Sequence, residues 1–321
     1  MAYRVAIIGS FQKYYNEIKN IIKLFKKEGL LVSSPKESHV KKKIDDFVIF
    51  ESDNQTQSPE EIQMVTLQKI MSADAVYVYN PGGYIGRTTC YEIGFCFSRC
   101  KPIYYFQKPV DLPIPLNSVE QVINPSEFAK LVTMKKQRFI VNYVLCDEAN
   151  VSFQQLFQLD NSKSNLKEKR IVICGSMNFY KGMLDCQKKL KQLGINSIVP
   201  EEENDIIFLY NKEQFMDFKR RVSNLYLRKI RDKNTAGVLI FNEAKNGIEN
   251  YIGANTLVEL AMAFTWNRQI FLFNDIYEPL EDELLAWKCI SLHGDLSLIS
   301  NYLKPNNMQK VERCEQLTLF D

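Results

Sequence analysis

The sequence predicts an α/β protein built from two tandem copies of one unit, each containing a parallel sheet. Short apolar runs alternate with longer amphipathic segments along most of the 321 residues, which is the pattern of strands and crossover helices. The short runs are apolar at nearly every position, as in strands buried on both faces of a parallel sheet. A repeat spaced by about half of the chain divides these elements into two matching sets.

The repeat is visible at both ends of the unit. The tripeptide Tyr-Ile-Gly at residues 84–86 recurs at 251–253, an offset of 167 (251 − 84). Near the start of each unit, VAIIGS at 5–10 parallels IVICGS at 171–176. Because both ends match, we infer that a whole folding unit was duplicated and that the two copies share one topology.

Each element of the first copy has its own local signature. Its strands are short apolar runs bounded by residues that favour turns. Its first helix has apolar residues at three- and four-residue spacing and stops at Gly29. The predicted elements are strand 5–10, helix 15–29, strand 30–35, helix 60–74, strand 75–80, a helix containing Glu92, and strand 102–106.

The second copy repeats this order, and its first helix stops at Gly194. We expect domains at 1–136 and 170–304, a polar linker at 137–169 and a flexible tail at 305–321. The predicted elements of the second copy are strand 171–176, helix 181–194, strand 196–200, helix 218–234, strand 237–242, a helix containing Glu259, and strand 269–273.

Composition limits the class of function. The net charge is +3, with 41 basic and 38 acidic residues, so we expect no direct nucleic-acid binding. The N-terminal apolar run is too short for a signal peptide, and no later run is long enough to span a membrane, which predicts a cytoplasmic protein. The eight cysteines form no C-x-x-C pair and there are two histidines. We therefore expect reduced thiols, no metal and no cofactor.

Each Tyr-Ile-Gly loop leads into a helix that carries a glutamate. Thr89 precedes Glu92 by three residues, and Thr256 precedes Glu259 in the same way. One interpretation is a capping box, in which the threonine caps the helix and the glutamate bonds back to the same turn. The other is chemical: the helix dipole keeps a first-turn carboxylate ionised. Such a carboxylate can attack an electrophilic sugar carbon at the ligand-binding edge of the sheet.

Further candidate binding residues follow the strands at that edge. The Gly-Ser turns offer an anion site at a helix start, where Lys13 and Lys181 could meet a phosphate or be solvated. The loop tyrosines could stack on a base or pack within the loop. The asparagines could bind a ligand or start a turn. The candidates are Gly9, Ser10, Asn80, Tyr84, Gly86, Gly175, Ser176, Asn242, Tyr251, Gly253 and Asn255.

These motifs resemble the nucleoside 2-deoxyribosyltransferase superfamily, which includes deoxynucleoside 5′-monophosphate N-glycosidases. The resemblance rests on ADAVYVYNPGGYIGRTTCYEIGFCF in the first copy and GVLIFNEAKNGIENYIGANTLVELAMAF in the second. It implies a flavodoxin-like, doubly wound sheet in each copy. It also implies that Glu92 and Glu259 are nucleophiles toward C1′ of a deoxyribosyl group. Because members often complete a site with a neighbouring subunit, we expect the fused copies to form a pseudo-dimer within the chain.

Two features depart from the pattern of that superfamily. Characterised members have an aspartate on the helix before the loop strand that helps to handle the leaving base. The corresponding stretches here, 64–68 and 224–228, contain no carboxylate. The loop glycine also lies six residues before the glutamate in both copies (92 − 86 and 259 − 253), a longer spacing than in members. We therefore expect a reshaped pocket or a site that only binds. The second copy keeps more of the superfamily pattern, which favours Glu259.

The resulting hypothesis is cleavage or transfer at the N-glycosidic bond of a deoxynucleoside or its 5′-monophosphate. Two alternatives stay open. One is a nucleotide-binding sensor or adaptor without turnover. The other is a nicotinamide dinucleotide glycohydrolase, which shares the C1′ chemistry but has another leaving group.

The C-terminal segment QLTLF suggests a protein partner. It resembles the peptide by which bacterial replication proteins dock on the sliding clamp. In that interpretation Gln316 bonds at the rim of an apolar groove that receives Leu317, Leu319 and Phe320. The alternative is that these residues pack back on the domain.

Overall fold

Two parallel sheets, one in each copy, organise the chain. The computed structural model describes residues 2–35, 40–44, 47–50, 59–110, 112, 114, 116, 119–134, 169–200 and 226–303. Strands and helices alternate along both copies, so the predicted α/β class is confirmed. The predicted linker, apart from its last residue, and the predicted tail with QLTLF lie outside the described residues.

The first copy contains the predicted strands and helices and a hairpin that the sequence did not indicate. Its elements are β1 (Arg4–Gly9), α1 (Phe11–Lys27), β2 (Leu31–Ser34), β3 (Val40–Ile44), β4 (Phe47–Phe50), α2 (Pro59–Met71), β5 (Ala75–Tyr79), α3 (Arg87–Ser98), β6 (Ile103–Tyr105) and α4 (Pro125–Thr133). The extra hairpin is formed by β3 and β4, which pair antiparallel.

The second copy follows the same order and continues for longer. Its elements are β7 (Arg170–Gly175), α5 (Tyr180–Gln192), β8 (Asn196–Ile198), β9 (Thr235–Phe241), α6 (Ala254–Thr265), β10 (Gln269–Leu272), α7 (Glu281–Ala286), β11 (Ile290–Ser291) and α8 (Ile299–Leu303). Residues 226–231 form the described end of a further helix before β9.

Both sheets reverse their winding at the same place. The strand orders are β2-β1-β5-β6 and β8-β7-β9-β10-β11, and all of these neighbours pair in parallel. The chain winds outward from β1 to β2 and then returns to the other side of β1 to continue with β5. The switch points therefore lie between β1 and β5 and between β7 and β9. Ligands of open α/β sheets bind at the carboxyl ends of the strands at such points.

The two halves share one apolar core. Helices α3 and α6 pack closely, and residues of both belong to one buried cluster with the facing strands of both sheets. The helices come close together at Gly94, where an added Cβ would lie 3.0 Å from the Ala261 Cβ. Ala261 is the position that corresponds to Gly94 at the repeat offset (261 − 94 = 167). Corresponding positions that face each other are the mark of a two-fold symmetric contact.

The described cysteines include both free thiols and a disulfide-bonded residue. Cys90, Cys96, Cys174 and Cys186 are buried free thiols, as expected for small apolar side chains of a core. Cys100 is disulfide-bonded, so the expectation of reduced thiols is wrong at this position.

No helix in the described part of the chain is both long and apolar enough to cross a membrane.

Candidate functional site

The two glutamates lie in the second turn of their helices. Helix α3 begins after Gly86 and helix α6 after Gly253, so these glycines occupy the N-cap positions. No cap side chain bonds to either helix, and neither first turn contains an acidic residue. Both the capping box and the first-turn carboxylate are therefore wrong. The helices start about three residues earlier than the Thr-x-x-Glu pattern suggested.

Burial, and not the helix dipole, sets the protonation of Glu92. Its side chain is 4% exposed, and burial raises the pKa of its carboxyl to about 8, with a further contribution from the negative charge of Glu283. The expectation that the carboxylate is held ionised is therefore wrong, because desolvation outweighs a dipole that acts mainly within the first turn.

Glu259 reaches the carboxyl end of β7. The Cys174 thiol lies close enough to its carboxyl to lower the pKa of Glu259, and Cys174 is the last residue before the Gly-Ser turn at 175–176. The carboxyl oxygen Oε2 is buried and has no hydrogen-bond partner. Burial raises the pKa of Glu259 to about 8, and the Cys174 thiol opposes that rise. A carboxyl with one free oxygen thus lies at the edge where ligands of such sheets bind.

The glycines of the two Gly-Ser turns are required by the sheet itself. Gly9 lies opposite Tyr79 on the neighbouring strand, and an added Cβ would come within 2.6 Å of the Tyr79 carbonyl oxygen. At Gly175, an added Cβ would lie 2.9 Å from the Phe241 carbonyl oxygen. This close approach explains the matched glycines without a ligand. The adjacent serines are part-exposed, and Ser10 directly precedes α1, as predicted.

A lysine stands over the loop tyrosine in each copy. The Lys13 Nζ atom lies 3.5 Å from the centroid of the Tyr84 ring. In the second copy the Lys245 Nζ atom lies 5.0 Å from the centroid of the Tyr251 ring and donates to Ser176 Oγ at 3.2 Å. Each switch point therefore carries a cation between a serine turn and an aromatic ring. Lys245 comes from the longer loop of the second copy, which has no counterpart at that offset, so sequence reasoning missed it.

The two asparagines shape the loops from inside. Asn80 donates to the Gln107 carbonyl oxygen at 2.8 Å and accepts from the Gln107 N–H at 3.0 Å. Asn242 donates to the Asp275 carbonyl oxygen at 2.7 Å and accepts from the Asn274 N–H at 2.9 Å. Both side chains are buried. Their amides are therefore occupied by the backbone that follows the next strand, which supports the turn interpretation over ligand binding.

The tyrosines cover the glycines of their own loops. Atoms of the Tyr84 ring lie 3.7 Å from an ideal Cβ at Gly86, and the Tyr251 hydroxyl lies 3.0 Å from an ideal Cβ at Gly253. Tyr84 is nevertheless 41% exposed, so one face of its ring stays accessible. Asn255, in the first turn of α6, is exposed. The loop therefore presents an aromatic surface and a polar helix start at one edge.

Residues of the second half reach the site of the first half. Glu283 on α7 is 7% exposed, and its Oε1 accepts from the Thr88 hydroxyl at 3.4 Å. The Arg87 guanidinium lies 5.9 Å from the centroid of the Tyr277 ring. Sequence reasoning missed Glu283 because nearly 200 residues separate it from Glu92 and because the repeat places no glutamate at its counterpart.

Among the described residues, no group of three His, Cys, Asp or Glu side chains is arranged to hold a metal ion. No family model and no curated protein matches the chain. Among solved structures, the chain is similar to a UDP-N-acetylglucosamine 2-epimerase, with 11% identity and a TM-score of 0.27 over 96% of this chain and 89% of that one. At that TM-score the likeness supports no argument about fold or function.

Proposed function

We propose that the protein cleaves or transfers the N-glycosidic bond of a deoxynucleoside or its 5′-monophosphate. The observation that supports this most directly is the Glu259 carboxyl at the end of β7, which lies beside the Cys174 thiol and whose buried Oε2 atom has no hydrogen-bond partner. The repeat places Glu92 at the corresponding point of α3. A glutamate with a pKa of about 8 is ionised in roughly one molecule in ten at pH 7, and in that form it is a suitable nucleophile for a sugar C1′.

The architecture is compatible with this proposal. The strand orders are compatible with the flavodoxin-like, doubly wound arrangement that the resemblance to the nucleoside 2-deoxyribosyltransferase superfamily implies. The packing of corresponding positions on α3 and α6 agrees with a pseudo-dimer within one chain. Lys13 and Lys245 lie against the loop tyrosines and offer a positive charge that could bind a 5′-phosphate.

Release of free base tests the proposal. The full chain is incubated with each deoxynucleoside and each 5′-monophosphate, and free base is separated by chromatography. Replacing both Glu92 and Glu259 with glutamine should lower release by about 1,000-fold or more, because glutamine cannot form the glycosyl ester. Glu249→Gln, at an exposed position, is the matched control. If no substrate releases base, or if the double variant retains full activity, the proposal fails.

Phosphate recognition gives a separate prediction. Lys245→Met should weaken binding of a deoxynucleoside 5′-monophosphate by about tenfold while it leaves the nucleoside unaffected, because a charge-assisted contact is lost. The control is Lys181→Met, which removes an exposed lysine on α5. Titration calorimetry at constant ionic strength measures both. Equal weakening for nucleotide and nucleoside would show that Lys245 supports the loop rather than a phosphate.

Binding without turnover is the second candidate. It is favoured by the pKa values of about 8 for both carboxyls, since a carboxyl with that pKa is ionised in roughly one molecule in ten at pH 7. A protonated carboxyl is a hydrogen-bond donor and not a nucleophile. Thermal stabilisation by a nucleotide with no product formed would support this candidate, and rapid release of base would exclude it.

A further inference from the structure

The first site contains two buried carboxyl groups that come from opposite halves of the chain. Glu92 lies on α3, and Glu283 lies on α7 of the second half. Their side chains are 4% and 7% exposed. Edge-to-face packing of Tyr91 against Trp287, with ring centroids 5.0 Å apart, fixes α7 against α3.

The contact of Thr88 with Glu283 shows where Glu283 lies relative to Glu92. Its hydroxyl lies 3.4 Å from Glu283 Oε1. Residues four apart on a helix lie on the same face, so Thr88 and Glu92 share one face of α3. Glu283 therefore covers the face that carries Glu92. The electrostatic influence of Glu283 on both Glu92 and the neighbouring Tyr91 agrees with this placement.

The second site is built differently. At the repeat offset, the counterpart of Glu283 is Leu116 (283 − 116 = 167), which packs on the apolar core. The counterpart of Thr88 is Asn255 (255 − 88 = 167). Glu259 instead meets the Cys174 thiol, which is a weak donor with a raised pKa. The pairing of carboxyls thus belongs to the first site.

We propose that Glu283 is the general acid and base of the first site and supplies, from the other half of the chain, the proton that the leaving base needs. This rests on the proposed N-glycosidic function and extends it. It also accounts for the missing carboxylate at 64–68 of α2, because α7 packs against α2 and brings a carboxyl to the same region from outside the copy. Two carboxyls for one glycosidic bond is the usual requirement of this chemistry.

The reaction balances with one proton on the pair. Glu92 holds this proton before the reaction, because the negative charge of Glu283 disfavours ionisation of Glu92, and the proton passes to the Glu283 carboxylate as the substrate binds, which leaves Glu92 as the carboxylate. A Glu92 carboxylate oxygen bonds to C1′ while the bond from C1′ to the base nitrogen breaks and its electron pair stays with the base. Glu283 gives its proton to the base, which leaves neutral. Water then attacks C1′, Glu283 takes the proton of that water, and the ester bond breaks to restore the Glu92 carboxylate. If a second base is the acceptor, its nitrogen attacks C1′ in place of water, and Glu283 takes the proton of that N–H.

The dependence on the leaving group tests this role. An N7-methylated purine departs as a neutral base without protonation, and 5-fluorouracil departs more easily than uracil. We therefore compare each 5′-monophosphate, dGMP and dUMP, with its N7-methyl or 5-fluoro analogue. Glu283→Gln is made in a Glu259→Gln background, so that only the first site can act. There it should lower release of the ordinary base by about 100-fold and that of the activated base by less than about threefold, because the activated base needs no general acid.

Controls separate this role from a structural one. Glu281→Gln changes an exposed residue of the same helix and should behave as wild type with every substrate. In the same Glu259→Gln background, Glu92→Gln should abolish release of ordinary and activated bases alike. Equal losses for both leaving groups in Glu283→Gln would make Glu283 merely structural, and wild-type rates would show that it is not needed. Either result overturns this inference alone. Absence of base release from the wild-type protein with every deoxynucleoside and every 5′-monophosphate overturns the proposed function as well.

Discussion

Replacing Glu92 and Glu259 with glutamine is expected to remove most of the pH dependence of the unfolding free energy between about pH 5 and pH 8. Glu92 is buried and Glu259 is half-buried, and both carboxyls have pKa values of about 8 in the folded protein, against a reference value of 4.5. By linkage, each carboxyl changes the unfolding free energy by roughly 1 kcal/mol per pH unit in this interval. The combined change across the interval therefore amounts to several kcal/mol.

The direction follows from which state holds the proton. Below about pH 4.5 both carboxyls are protonated in the folded and unfolded chains, and they contribute no slope. Between that pH and about 8 the unfolded chain has released the protons while the folded chain retains them, so raising the pH favours unfolding. The stability that these neutral carboxyls provide is thus fully present in acid and is lost as the pH rises through 8.

Urea unfolding at half-unit pH steps measures the effect. Glutamine is neutral and close in size to a protonated glutamate, so the double variant should match wild type at pH 5 and exceed its stability at pH 8. Glu281→Gln, at an exposed position, should keep the wild-type slope. A double variant with an unchanged slope would show that the two carboxyls are ionised and solvated in the folded protein.

The strands and helices that depend on local sequence patterns were predicted well. Apolar runs predicted the first strand of both copies, and glycines predicted where the first helix ends. Both features depend on residues that are close in sequence. The repeat also predicted equivalence at a distance: Asn80 and Asn242 make matching amide contacts with the chain after the next strand. The hairpin of β3 and β4 was not predicted, because the stretch between the second strand and the next helix was interpreted only as variable and polar.

The chemistry of the candidate site was harder to predict, because it depends on tertiary contacts. The Thr-x-x-Glu pattern is compatible with a helix start at Thr89, yet the helix begins after Gly86, and this moves Glu92 away from the helix end. Its protonation then depends on burial by the other half of the chain, which no local pattern contains. Lys245 and Glu283 come from segments without a counterpart of the same chemistry in the first copy, and only the folded chain brings them to the site.

The contact between α3 and α6 leads to the second large effect: Gly94→Leu is expected to destabilise the protein by about 3 kcal/mol. An ideal Cβ at Gly94 would lie 3.0 Å from the Ala261 Cβ and 3.2 Å from the Val258 Cα. A leucine therefore cannot fit without separating the helices. Because residues of both halves form one buried cluster, the loss should appear in the unfolding of the whole chain. The control is Ala254→Leu at the exposed start of α6, which should change stability by less than about 0.5 kcal/mol.

A double-mutant cycle isolates the contact from helix propensity. Gly94→Ala gains and Ala261→Gly loses about 1 kcal/mol of propensity, and these terms cancel when the two residues are exchanged. The exchanged protein keeps a single Cβ at the crossing point, so it should approach wild-type stability, whereas Gly94→Ala alone introduces a second Cβ into that gap. A coupling energy of about 1 kcal/mol or more is expected for residues in contact. A coupling near zero would mean that the two helices do not meet at these corresponding positions, and the symmetric packing of the halves would then have to be abandoned.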